Sequence, residues 1–167
     1  TLTATDSAAN TVSKDYTITV TDVNETPSAV ALSASSFAEN AAGATIGTLS
    51  ATDPDSGETF TYSISGTDKD SFELSGTSLK LKDTVSANFE ADASYSITLT
   101  ATDSADNTVS KDYTITVSDV NEAPSITSTS TGSVSENTSA VITLTGTDPD
   151  SDTLAYSISG GDDASLF

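Results

Sequence analysis

The chain has 167 residues with no cysteine and no histidine, and its 25 Asp and Glu against 5 Lys give a net charge of −20. That composition excludes disulfides and thiolate metal centres, removes the usual imidazole base, and sets up a field that repels nucleic acid and anionic membranes. The length allows one or two domains, and no apolar run approaches the ~20 residues of a membrane span, so no membrane insertion is expected in this segment.

Charge this lopsided costs self-repulsion unless cations offset it. Composition leaves two readings open, a salt-tolerant soluble surface or a metal-binding chain, and the placement of the acids has to decide. The apolar fraction is 35%, low enough for disorder, but its regular alternation along the chain argues for folded strands.

In chain order, the first feature is a repeat. Residues 1–26 (TLTATDSAANTVSKDYTITVTDVNET) return at 98–123 with three changes, Ala9/Asp106, Thr21/Ser118 and Thr26/Ala123, at a spacing of 97 residues. AEN at 38–40 returns as SEN at 135–137, TDPDS at 52–56 returns at 147–151, and YSIS at 62–65 returns at 156–159. Residues 1–25 therefore read as the C-terminal strands of a preceding repeat, 26–122 as one complete repeat, and 123–167 as the N-terminal part of the next. The chain is accordingly expected to be a window of a longer array.

Inside the complete unit the apolar period is two, the period of strands. In ATIGTLSA the apolar phase slips between Ile46 and Leu49, making Gly47 a candidate bulge. Phe60, Tyr62 and Ile64 alternate with hydroxyl residues; Phe72 and Leu74, then Leu79 and Leu81, flank a hairpin signal at Ser75-Gly76-Thr77. Ile97, Leu99 and Ala101, then Tyr113, Ile115 and Val117, continue the pattern. About seven short strands with one apolar face each predict an all-β fold, a β-sandwich of two antiparallel sheets packed face to face, in tandem array. DVNETP and DVNEAP mark the linkers, where Pro27 and Pro124 interrupt pairing.

Many acids cluster at strand ends: Asp53 and Asp55 in DPDSG, Asp103 in ATD, Glu39 in AEN, Glu90 in NFE, and Asp119, Asn121 and Glu122 in the linker. Clustered carboxylates need an offset, which a hard dication surrounded by oxygens supplies. DPDSD at 148–152 imitates the start of an EF-hand loop, but Thr153 and Ser159 stand where the loop needs its glycine and its final glutamate, and no helices flank it. The isolated Asp68, Asp70, Asp92, Asp112, Asp162 and Asp163 are expected to serve local hydrogen bonds instead.

The ordered series AEN, ATDPDSG, FELSGTSLKLKD, NFE, ATD and DVNEAP across residues 38–124 resembles a cadherin repeat, in the form common in large bacterial surface adhesins. The resemblance implies a seven-stranded Greek-key β-sandwich of the cadherin and immunoglobulin-like kind, with calcium (Ca2+) held between successive repeats. Carried over position by position, it implies a second junction gathering Glu39, Glu90, Asp119, Glu122, Asp148 and Asp150, with Asn88 and Asn121 beside them. The first junction gathers Asp22, Asn24, Glu25, Asp53, Asp55 and Asp103. Two departures stand out: Asn88 replaces the family's usual Asp, and Ala123 its usual Asn, so fewer or looser ions are expected per junction.

The function implied is a calcium-rigidified extender or adhesion repeat, extracellular at a cell surface, whose partners are the adjacent repeats of the same chain. The alternative is an adhesive module binding another cadherin-like repeat, in homophilic fashion, or a glycan. Aromatic residues are only 6% of the chain, and Tyr16, Tyr62, Tyr95, Tyr113 and Tyr156 lie mostly in core-like phase, which leans toward the extender. Catalysis is not expected, since nucleophile–base pairs are missing and the acids recur from unit to unit instead of flanking one cleft.

Overall fold

The computed structural model describes residues 1–139 and 141–164. It opens with a hairpin of β1 (Leu2–Thr5) and β2 (Thr11–Lys14), followed by β3 (Ala29–Leu32), β4 (Ser36–Ala38), β5 (Thr45–Thr52) and β6 (Thr61–Ser65). After a short 3-10 turn at Lys69–Ser71 come β7 (Phe72–Ser75), β8 (Ser78–Leu81), β9 (Ser94–Thr102) and β10 (Thr108–Ser118). β11 (Ser125–Ile126) and β12 (Gly146–Thr147) form a last short antiparallel pair.

The middle of the chain is a sandwich of two four-stranded sheets, one in the order β4-β10-β9-β6 and the other β3-β5-β8-β7. All pairings within them are antiparallel except β4 with β10. Eight segments appear where periodicity gives about seven strands, because β3 and β4 sit in opposite sheets, joined by Ser33-Ala34-Ser35. The Gly47 bulge is real: pairing between β5 and β8 shifts between Thr45 and Gly47, and a Cβ on Gly47 would lie 2.8 Å from the Ala34 nitrogen. The bulge lets Ile46 and Leu49 both face inward, which strict alternation would forbid. At the β7–β8 turn, Gly76 takes the positive φ of +60° that this two-residue connection needs.

Between the sheets lie Val30, Phe37, Ile46, Leu49, Phe72, Leu79, Leu81, Ala87, Ile97, Leu99, Ala101, Ile115 and Val117. Each large side chain fully withdrawn from water contributes ~1.5–3 kcal/mol, which makes this cluster the dominant source of stability. Tyr95 stacks on Phe37 and meets Phe72 edge-on, with ring centroids 6.4 and 5.4 Å away. The Tyr113 hydroxyl, carried by β10, donates to the Val30 carbonyl and accepts from the Leu32 amide, both at 3.1 Å. That pair of bonds satisfies backbone groups of β3 and ties the two sheets together.

Outside the sandwich, β1 and β2 reproduce β9 and β10 in register: Leu2 faces Lys14 as Leu99 faces Lys111, and Ala4 faces Val12 as Ala101 faces Val109. Leu2, Val12, Ile18 and Val20 are exposed here, as are Ile126 and Ile158 near the other end. Tyr62, Tyr95 and Tyr113 are half-buried against the core, whereas Tyr16 and Tyr156 are exposed. Among the described residues no helix is long and apolar enough to cross a membrane.

Candidate metal centres

Most of the acids singled out by the sequence converge at two places, one on each linker. At the second linker, Glu39 follows β4 and is only 3% exposed. Its carboxylate accepts from the Val120 and Phe89 amides, both at 2.8 Å, and its own amide donates to the Ser118 carbonyl at 3.1 Å. A buried charge held by backbone donors on two sides fixes the start of the linker against the sandwich. Carboxylate oxygens of Glu39, Glu90 and Glu122 lie within 4.8 Å of one another, and so do those of Glu90, Asp119 and Asp150. Glu90 belongs to both groups. Asp150, from the segment after the linker, accepts the Glu122 amide at 2.7 Å.

At the first linker, oxygens of Asp22, Glu25 and Asp55 come within 4.8 Å. The Glu25 amide donates to Asp55 at 2.8 Å, the counterpart of the Glu122–Asp150 bond. Asn24 donates to the Glu25 carbonyl at 2.8 Å, as Asn121 donates to that of Glu122 at 3.0 Å. Two separate linkers therefore share one local geometry. Asp103, 6% exposed, accepts from the Asn24 and Asn107 side chains at 2.8 and 3.0 Å and from the Ala105 and Asn107 amides at 2.9 and 2.8 Å.

Some expected ligands are committed elsewhere. Asn88 turns its Oδ1 to the Ala91 amide at 2.7 Å, closing a local turn beside Glu90. Asp53 caps the Asp55 amide through Oδ1, and Asp148 accepts from Asp152 through Oδ1. Neither Asp53 nor Asp148 joins the three close carboxylate groups found among the described residues. Sequence reasoning passed over Asn107 and Asn40. The first could be read from the Asp-x-x-x-Asn spacing of TDSADN, repeated in TDSAAN, where Asn10 serves Asp6 in the same way. Among the isolated acids, Asp92 accepts a local bond from the Ser94 amide, whereas Asp68 and Asp112 accept from Ser96 and Thr98, partners distant in sequence, so for those two the expectation of local bonding is corrected.

The electrostatics of the linkers are unbalanced. Glu25 is raised above the usual carboxylate range by the facing Asp55 carboxylate. Asp119 is raised by burial, then by Asp150, Glu90 and Glu39. For Glu122 the Asn40 hydrogen bond pulls downward, but burial and the charges of Glu39, Glu90 and Asp150 outweigh it and the net shift is upward. Asp103 behaves oppositely: burial pushes it up, and its four donors overcome that and hold it low. Among the described residues the ion pairs engage Asp15, Asp70 and Glu73, none of them in these groups. Asp53 Oδ2, Glu122 Oε2 and Asp150 Oδ1 are buried without any hydrogen-bond partner. Orphaned buried carboxylate oxygens with no cation nearby are costly, and an all-oxygen donor set fits a hard divalent ion.

The cadherin domain model matches residues 33–118, just over half of the chain. The chain belongs to the cadherin domain family. Among solved structures, two forms of human Protocadherin-24 EC1-2 share its fold. One has TM-score 0.57 and 22% identity, covering 72% of this chain and 61% of that one. The other has TM-score 0.53 and 21% identity, covering 75% and 62%. Protocadherin Gamma B2 extracellular cadherin domains 1-5 match at TM-score 0.48 and 26% identity, covering 66% of this chain and 23% of that one. This cadherin chain thus spans less than two thirds of each of those structures. No curated protein matches the sequence.

Proposed function

We propose that this cadherin chain is a calcium-rigidified extender of a cell-surface adhesin, working outside the cell and binding Ca2+ at the junctions between its repeats. The observation that carries the reading is the gathering of acids at both linkers, one close group at the first and two sharing Glu90 at the second, with buried unpartnered oxygens and, among the described residues, no lysine paired to them. At the second junction Glu39 and Glu90 would supply ligands from the sandwich, Asp119 and Glu122 from the linker, and Asp150 from the following segment. At the first, Asp22 and Glu25 would act with Asp55, while Asn24 ties the linker to Asp103. Calcium, when bound, supplies the positive charge that lets these carboxylates stay close.

The chain's own residues do the mechanical part. Without a cation, Asp119 and Asp150 repel, and so do Glu25 and Asp55, which favours a bent or open linker. With the repulsion cancelled, the amides of Glu25 and Glu122 keep their bonds to the next unit's aspartates, and two units move as one strut. Extracellular modules of this sort bind calcium at ~10⁻⁴–10⁻³ M, and a ligand at 100 times its Kd stabilises the bound form by about 2.7 kcal/mol. Magnesium fits less well, since it demands a small octahedral shell and gives up its waters reluctantly.

Isothermal titration of the chain with calcium, followed by magnesium, tests the assignment. Saturable calcium binding, weak in magnesium and weakened at the second junction by Glu90→Gln, is the expected result. Absence of calcium heat would make the acids a solvated surface and move the adhesive alternative ahead.

A further inference from the structure

The turn after β4 holds a second device, which rests on the calcium reading for its purpose but not for its existence. Asn40 sits at φ +60°, in the left-handed region that Asn tolerates better than most side chains. Its amide donates to the Ala87 carbonyl at 3.0 Å, which anchors it to the segment leading into Asn88 and Glu90. Its side-chain nitrogen reaches across to the linker and donates to Glu122 Oε1. The other oxygen of that carboxylate, Oε2, is buried and unpartnered, and Glu122 forms one acid group with Glu39 and Glu90. One oxygen is therefore fixed by a neutral donor while the other is left free within that group.

We propose that Asn40 is a metal-independent latch, a positioning residue that holds Glu122 against the sandwich and presents its free oxygen before any cation arrives. The neighbouring Glu39 supports the same end, because its carboxylate takes the Val120 amide and its own amide bonds Ser118. Linker residues on either side of Asp119 are thus tied to the AEN turn by bonds that involve no ion. A carboxamide is the suitable group here. It offers a hydrogen-bond donor to a carboxylate and adds no further negative charge to a crowded site. Prepaying the ordering of Glu122 lowers the cost of binding, so the latch should tighten calcium as well as order the linker.

Asn also recurs at the equivalent left-handed position, Asn137 at φ +65°. Backbone conformation alone could explain both, so the test must separate the side chain from the backbone. Asn40→Gly keeps the left-handed conformation and deletes the donor; Asn40→Asp keeps shape and conformation but replaces the donor with a charge facing Glu122. Asn137→Gly controls for the effect of glycine itself. The readout is backbone 15N relaxation of the full chain in chelator, comparing residues 119–123 with the matching 22–26 of the first linker.

Both Asn40 variants are expected to loosen 119–123, Asn40→Asp the more, with 22–26 unchanged and Asn137→Gly without effect on either. On adding calcium, affinity at the second junction is expected to fall on the order of tenfold in Asn40→Gly, the scale of one lost bond to a charged group. A second linker as ordered in Asn40→Gly as in the parent chain would overturn the latch. If the parent chain takes up no calcium, the calcium reading fails separately, and the relaxation data in chelator still decide whether the latch exists.

Discussion

The sandwich interior and the two linkers are held together by opposite means. In the interior, Leu79, Leu81, Leu99 and Ile115 have no solvent exposure, and Tyr113 satisfies the backbone of the facing sheet. Nothing there calls for an ion. At the linkers, Asp53, Glu122 and Asp150 keep buried oxygens without partners, and Glu25, Asp119 and Glu122 are pushed toward their protonated forms. The unit is self-sufficient in its core and unfinished at its ends.

Several experiments would break or sharpen that contrast. The largest effect belongs to the core. Leu99→Ala should cost ~2–5 kcal/mol, equally with and without calcium, and thermal melting in both conditions checks it. A loss that calcium repairs would mean that core and junction are not independent. Next comes Glu90→Gln, which touches both acid groups of the second junction. Calcium affinity there should drop by about tenfold or more, while melting in chelator stays level or rises as repulsion is relieved.

Asn88→Asp should act in the opposite direction and more modestly. The present Asn88 spends its Oδ1 on the Ala91 amide, and a carboxylate could keep that bond and still offer a second, charged oxygen beside Glu90. Calcium should bind roughly threefold to tenfold tighter, read by titration calorimetry. Unchanged affinity would show that the Asn88 position points away from the ion.

The smallest effect concerns pH without metal, because exposed charges are screened by solvent and salt. Glu25, raised first by Asp55, and Asp119, raised first by burial, bind protons more readily folded than unfolded. Their protonation favours the folded state, so melting in chelator should improve as pH falls from neutral into the carboxylate range. Asp103 is held low by its four donors despite burial, and its stabilisation is lost as pH drops through that lower range. Stability of the metal-free chain should therefore peak on the acid side of neutral. A steady decline from neutral downward would contradict the picture of repelling linkers.

Much of this molecule was readable before any coordinate. Period-two alternation placed Ile97, Leu99, Ala101, Ile115 and Val117 inward, since a strand with one buried face has no other way to arrange them. Gly47 marked its bulge through the phase slip of its neighbours, and Ser75-Gly76-Thr77 marked its hairpin. The division of residues 29–38 into β3 and β4, in opposite sheets, was not readable, because the parallel pairing of β4 with β10 is a long-range event. Motif order grouped Asp22, Glu25 and Asp55 at one linker and Glu39, Glu90, Asp119, Glu122 and Asp150 at the other, and their carboxylates do lie close together, while Asp53 and Asp148 stay outside these groups. Motif order could not show that Asn88 faces its own turn, or that Asn40 reaches Glu122, since both depend on where a side-chain amide points.

The central claim is that cation binding at the linkers, not the sandwich itself, sets the rigidity of the array. Small-angle scattering during a calcium titration of two complete repeats tests it most directly, with thermal melting recorded in parallel. The account predicts extension of the particle and a rise in melting temperature, both reversed by chelator and weak in magnesium. A shape and melting point indifferent to calcium would contradict it.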